Sequence, residues 1–143
     1  MAEVMNAPLY TIEILRLAGS LPDPVTLERV DGSAQVRSPT CGSTVQTDVQ
    51  VEDGVVTALS QQVRACAFGQ AAATLVAKHA VGRSGDDVAH ALEALSQWLA
   101  GSRYHPGGWG FDALAPARPR TSRHGAMLLP LRALLAAIEE SGA

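Results

Sequence analysis

The sequence predicts an α+β fold, a small antiparallel sheet of three or four strands with helices packed on one side. Three observations carry that prediction. Between Ser43 and Val51, the residues Val45, Thr47, Val49 and Val51 alternate with Gln46, Asp48 and Gln50, the period-two pattern of a strand with one face on a core. Glu52-Asp53-Gly54 follows, and Asp-Gly suits a tight hairpin turn. At Cys66 the apolar period changes from two to 3.6. The order helix, strands, helices then describes a sheet covered on one face.

Taken in order, Leu9 to Ala18 reads as a short helix, with Asn6 as N-cap, Pro8 in the first turn and Gly19 as a left-handed stop. Pro22 and Pro24 break it. Val25 and Leu27 alternate, Asp31-Gly32 supplies a turn, and Ala34 and Val36 alternate again. After the hairpin, the return strand carries Val55, Leu59, Val63 and Ala65 on one face against Gln62 and Arg64 on the other. Gly69 to Val81 is an alanine-rich helix stopped at Gly82. Ser84-Gly85-Asp86-Asp87 resembles a capping box, and Val88, Leu92, Leu95, Trp98 and Leu99 follow at helical spacing. Gly101 to Ser122 reads as a Gly/Pro/Arg loop. A last helix, about Ala126 to Glu140, presents Met127, Leu128, Leu131, Leu134, Leu135 and Ile138, with Pro130 expected in its first turn.

At 143 residues, positions 1–143 are expected to form a single domain. The apolar share of 47% against 17% charged residues excludes wholesale disorder. A net charge of −3 and 4% aromatic residues leave neither the basic footprint nor the stacking platforms of a nucleic-acid binder. The start, Met1-Ala2-Glu3-Val4-Met5-Asn6, lacks the basic and apolar regions of a secretory signal. No apolar run approaches the ~20 residues that span a bilayer. A cytoplasmic protein without membrane association is the expectation, in which two cysteines are free thiols or metal ligands sooner than a disulfide.

The sequence carries no GxxxxGK[ST] phosphate loop, HExxH, GxSxG or paired CxxC motif. Gly107, Gly108 and Gly110 do not lie between a strand and a helix start and read as linker. His79 and His90 fall on helices without an acidic or cysteine partner at ligand spacing, and His105 reads as a solvent-facing loop residue. No nucleophile–base pair or carboxylate dyad is legible, so an enzyme is not expected.

Cys41 and Cys66 differ from these because of their placement. Cys41 precedes the strongest strand, Cys66 ends the return strand, and the two stand at equal sequence distances from the Asp53-Gly54 turn. An antiparallel hairpin therefore brings them to one end of the sheet. Cys66 also opens a helix, whose amino end attracts negative charge. Two adjacent thiolates suit soft-metal chemistry. Two buried thiols acting as small hydrophobes, or a disulfide, remain alternatives.

These residues resemble the IscU/NifU family of iron–sulfur cluster assembly scaffolds. The family's first loop has Cys-Gly-Asp after a small-residue and proline stretch, here Pro39-Thr40-Cys41-Gly42-Ser43. Its second site is a cysteine opening an alanine-rich helix with a later Leu-Val and a Gly-[KR]-Ser turn, here Cys66-Ala67-Phe68-Gly69 to Leu75-Val76 and Gly82-Arg83-Ser84. Its third is His-Cys at the start of the last helix, here His124-Gly125. Ser43 stands where the family has aspartate, Gly125 where it has the third cysteine, and Leu114-Ala115-Pro116-Ala117-Arg118 where it has the chaperone-binding Leu-Pro-Pro-Val-Lys.

The resemblance implies a SufE/NifU-like fold and a scaffold or carrier holding iron or a [2Fe–2S] cluster on Cys41 and Cys66, with His124 as a nitrogen ligand. It also implies a cysteine desulfurase and acceptor apoproteins as partners, with a homodimer as one way to supply four thiolates. Two other readings stand beside it. One is a degenerate scaffold that regulates or docks on a desulfurase without assembling clusters. The other is a zinc-binding variant using two cysteines and a histidine.

Overall fold

The computed structural model describes residues 11–39 and 42–143. Its elements are α1 (Ile12–Gly19), β1 (Gly32–Arg37), β2 (Thr44–Glu52), β3 (Val55–Arg64), α2 (Ala67–His79), α3 (Gly85–Leu99), a 3-10 helix (Phe111–Ala117) and α4 (Thr121–Glu140). The sheet has the order β1-β2-β3, antiparallel throughout. The expected α+β architecture is present, with three strands among the described residues.

The alternation in β2 maps directly onto burial. Val45, Thr47 and Val49 are buried against the helices, while Gln46, Asp48 and Gln50 lie on the outer face. Asp53 and Gly54 turn the chain with φ of 53° and 79°, the left-handed pair of a two-residue hairpin. The register then shifts between Gln50 and Val51, a bulge that lets β3 contribute one extra residue. That bulge reverses the facing of the first β3 residues, so Val56 is the buried one and Val55, expected inward, is only half-buried.

A fourth strand through Val25 and Leu27 does not form. The prolines before it hold the segment off the ladder, and the Val25 N–H donates instead to Ser60 Oγ at 2.9 Å. Asp31-Gly32 is likewise no hairpin turn: Asp31 Oδ2 accepts from the Val51 N–H at 2.8 Å and Gly32 opens β1. In α1 the cap is Thr11, whose hydroxyl accepts from Ile14 N–H at 3.1 Å. The expected cap Asn6 and the expected first turn through Pro8 and Leu9 lie outside the described residues. Gly19 is inside the helix, which is stopped at Ser20.

The helices cover the inner face, α4 beneath β1 and β2 and α2 beneath β3. The α2–α3 connection is tied to β3, since Gly82 N–H donates to the Val56 carbonyl at 2.8 Å and Val56 N–H to the Arg83 carbonyl at 2.9 Å. The capping box is real: Asp87 N–H donates to Ser84 Oγ and Ser84 N–H to Asp87 Oδ2, at 3.2 and 3.0 Å.

Two expectations for the C-terminal third are corrected. The stretch 101–122 is more than linker, because Trp109, Phe111, Leu114 and Ala117 are all buried. Trp109 stacks on Phe111 with centroids 6.1 Å apart, and the Arg83 guanidinium lies 5.2 Å over the indole. Gly110 fits there because it has φ 80° and because a Cβ would meet Leu75 Cδ2 at 3.2 Å. Helix α4 starts at Thr121, five residues before Ala126, so Pro130 stands in its interior and not in its first turn. No helix among the described residues is long and apolar enough to cross a membrane.

Candidate functional site

The open end of the β2–β3 hairpin is built by its ladder. Pairing runs down to Thr44↔Arg64, so the chain leaves β2 toward Gly42 and β3 toward Cys66 at the same sheet end. On the β1 side the connection is closed by Ser38 N–H donating to the Ser43 carbonyl at 2.8 Å and Gly42 N–H to the Ser38 carbonyl at 3.2 Å. Gly42 itself has φ 70°. Cys41 falls outside the described residues. The bulge moves the register by one, and the ladder itself ends at Thr44↔Arg64, two residues short of Cys66.

Cys66 is the N-cap of α2. It has extended backbone (φ −67°, ψ 174°), makes no side-chain capping hydrogen bond, and is a free, half-buried thiol. Neither a disulfide nor a sealed hydrocarbon pocket holds it, although it rests against the edge of the main core. Gln70 clamps the turn, its Nε2 donating to the Ala65 carbonyl at 3.2 Å.

One turn further, Gly69 presses α2 against α4. A Cβ at 69 would lie 3.2 Å from the Ala126 carbonyl oxygen and 3.4 Å from Ala126 Cβ. Ala126 directly follows His124-Gly125, so the first turn of α2 and the first turns of α4 are neighbours. The sequence carried a signal for this contact, since a glycine in the first turn of a helix must be explained by close approach or by cost.

His124 is half-buried in the first turns of α4, and its Nε2 donates to the Arg118 carbonyl at 2.8 Å. In the neutral ring that leaves Nδ1 with the lone pair. The groove that His124 lines is formed with Leu99, Arg118, Pro119 and Thr121, and Cys66 is not part of its wall. Arg118, which sequence reasoning passed over, organises this region. Its Nε and Nη2 donate to the Trp98 and Ser102 carbonyls at 3.0 and 2.7 Å, and its guanidinium lies 4.7 Å over the Trp98 ring. It thereby serves a carbonyl in the last turn of α3 and another in the segment just after it.

The remaining histidines stand apart from the cysteine. His79 is at the core edge, with Nδ1 donating to the Leu75 carbonyl at 2.9 Å. His90 and His105 are exposed. Among the described residues no group of three or more His, Cys, Asp or Glu side chains could hold a metal ion. The resolved electrostatic shifts belong to the scaffold. The Arg29 guanidinium, with help from Val51 N–H, holds the Asp31 carboxyl below its usual range. The Ser84 backbone N–H does the same for Asp87.

No family model matches the chain, and no curated protein matches it at a significant level. Among solved structures, the chain is similar to the N-terminal domain of a nitrogen-fixing NifU-like protein from Brucella abortus. The identity is 31%, with a TM-score of 0.87, over 96% of this chain and 97% of that one. It also superposes on a candidate iron–sulfur cluster assembly scaffold protein for the SUF system from Fervidobacterium islandicum. That match has a TM-score of 0.79 over 96% of this chain and 99% of that one, at 13% identity, a likeness of fold alone.

Proposed function

Because the chain belongs to the IscU/NifU-like family, we propose that it is a scaffold or carrier in iron–sulfur cluster assembly. Its cargo is iron or a [2Fe–2S] cluster, and Cys41 and Cys66 are the residues that hold it. The observation that carries this reading is Cys66 itself, a free thiol at the N-cap of α2 and at the open end of the hairpin. Its neighbouring turn packs beside the segment that carries the family's third site. Thiolate sulfur is the donor set that iron–sulfur chemistry uses.

One chain offers two cysteines, and position 125 offers no side chain. Iron–sulfur clusters are usually held by four ligands. The vacant positions fall to a second copy, to a small thiol or to a partner's cysteine, an arrangement that favours transfer over permanent storage. His124 contributes, if it ligates, through Nδ1, because Nε2 is engaged by the Arg118 carbonyl. The partners of this reading are those the family resemblance implies, a cysteine desulfurase to supply sulfur and apoproteins to accept the cluster.

Anaerobic reconstitution with ferrous iron and a sulfur source tests the reading. Wild-type protein is expected to develop visible charge-transfer absorption that Cys66→Ala removes. Equal absorption in wild type and Cys66→Ala, or none in wild type, would overturn it. Zinc in the purified protein in place of iron would redirect the reading to a zinc site.

A further inference from the structure

The outer face of the sheet is polar, and at one end it is cationic. Pairing aligns Arg37, Thr44 and Arg64 in one row across the three strands, and Gln35, Gln46 and Gln62 in the next. These rows alternate with the core row Val36, Val45 and Val63, so both rows face away from the helices. Arg37 and Arg64 are exposed, and neither has an ion-pair partner among the described residues. The nearest carboxylate row along the strands is that of Asp48, whose Oδ1 is taken by Ser33 Oγ at 2.6 Å. Two cations with no ion-pair partner among the described residues thus stand together on a chain whose net charge is −3.

Between them lies a groove of about 350 Å³ that reaches Gly42, the sequence neighbour of Cys41. We infer that this groove binds an acidic polypeptide segment of a protein that exchanges cargo with the cysteines. Its cargo clause rests on the function proposed above, and its binding clause does not. The two arginine backbones are separated by two strand spacings, about 10 Å, and each guanidinium takes a carboxylate in a two-pronged contact. An extended chain bearing two carboxylates meets that spacing, and the glutamine row supplies amides that both donate and accept along its backbone. Ligand exchange between proteins demands that the partner's own thiols come to bonding distance. A docking face that ends at Gly42 brings a partner there.

The test uses isotope-labelled protein without metal and three probes: a terminally blocked hexaglutamate peptide, a blocked hexalysine peptide and inorganic phosphate. Hexaglutamate is expected to shift the backbone amides of Arg37, Thr44, Gln62 and Arg64, with binding that weakens as salt is added. The double variant Arg37→Glu/Arg64→Glu should weaken it at least about tenfold. Arg37→Lys/Arg64→Lys, which keeps the charge and loses the fork, should fall between. Shifts elsewhere on the molecule, an equal response to hexalysine, or an unchanged affinity in the Glu variant would overturn the inference. Phosphate binding as tightly as hexaglutamate would overturn it too, and would make the groove a small-anion site. Peptide binding by a protein that takes up no iron would refute the cargo reading and leave this face standing. Iron uptake without peptide binding would do the reverse.

Discussion

Gly69 sits against the Ala126 carbonyl, with room for a hydrogen where a Cβ would come within 3.2 Å of that oxygen and 2.6 Å of Ala65 Cβ. The carbonyl has lost its usual intrahelical donor, because residue 130, four positions on, is proline. Glycine on one helix and proline on the other therefore shape the contact between the first turn of α2, three residues after Cys66, and the α4 segment that follows His124-Gly125. Gly69→Val is expected to cost roughly 1–3 kcal/mol of stability through overpacking, read by urea unfolding. An unchanged midpoint would show that the two helices separate freely.

Thr74 joins α1 to α2. Its hydroxyl stands 2.5 Å from the Leu17 carbonyl and 3.1 Å from the Gln70 carbonyl, and with one proton it serves the nearer. Thr74→Val should cost about 1 kcal/mol and speed amide exchange selectively in α1. Uniform exchange across the chain would contradict the local role.

Thr47 and Gln61 face each other across β2 and β3. Both are buried, Gln61 Nε2 donates to the Ala73 carbonyl at 3.0 Å, and Thr47 Oγ1 and Gln61 Oε1 have no partner among the described residues. An unsatisfied buried hydroxyl is a cost that valine lacks, so Thr47→Val is expected to raise stability by about 1 kcal/mol. A loss on substitution would show that the hydroxyl is satisfied by bound water.

Acid should weaken the fold through Asp31 and Asp87. Their carboxyls are held below the ordinary value by Arg29 and by the Ser84 N–H respectively, so the folded state binds fewer protons than the unfolded one. The contribution is present above the ordinary aspartate value of about 4 and is lost as pH falls through the depressed ones. Unfolding midpoints measured near pH 6 and near pH 3 should differ less in Asp31→Asn/Asp87→Asn than in wild type. An equal difference in both proteins would remove these two residues from the account.

Much of this was legible from local chemistry. The β2 alternation, the Asp53-Gly54 turn and the Ser84 cap depend on neighbours in sequence, and each stands where its residues put it. What depended on distant contacts was not legible. Pro130 looked like a helix start because its tolerance inside α4 is set by packing. The bulge at Gln50 and Val51 broke a simple parity count. Trp109 and Phe111 turned a glycine-rich loop into a core wall. At the site, the N-cap place of Cys66 followed from the change of period, whereas the approach of Gly69 to Ala126 required the folded chain. Arg37 and Arg64, four residues before Cys41 and two before Cys66, could have been found by extending the strand alternation to its polar face.

The most direct test is the metal content of protein purified anaerobically, with iron, zinc and acid-labile sulfide counted per chain in wild type, Cys41→Ala and Cys66→Ala. Iron in the wild type, with most of it lost in each single variant while the helical and sheet signals persist, is the predicted result. Iron-free wild type that stays iron-free after loading, or variants that retain the wild-type content, would show that these thiols carry no cargo.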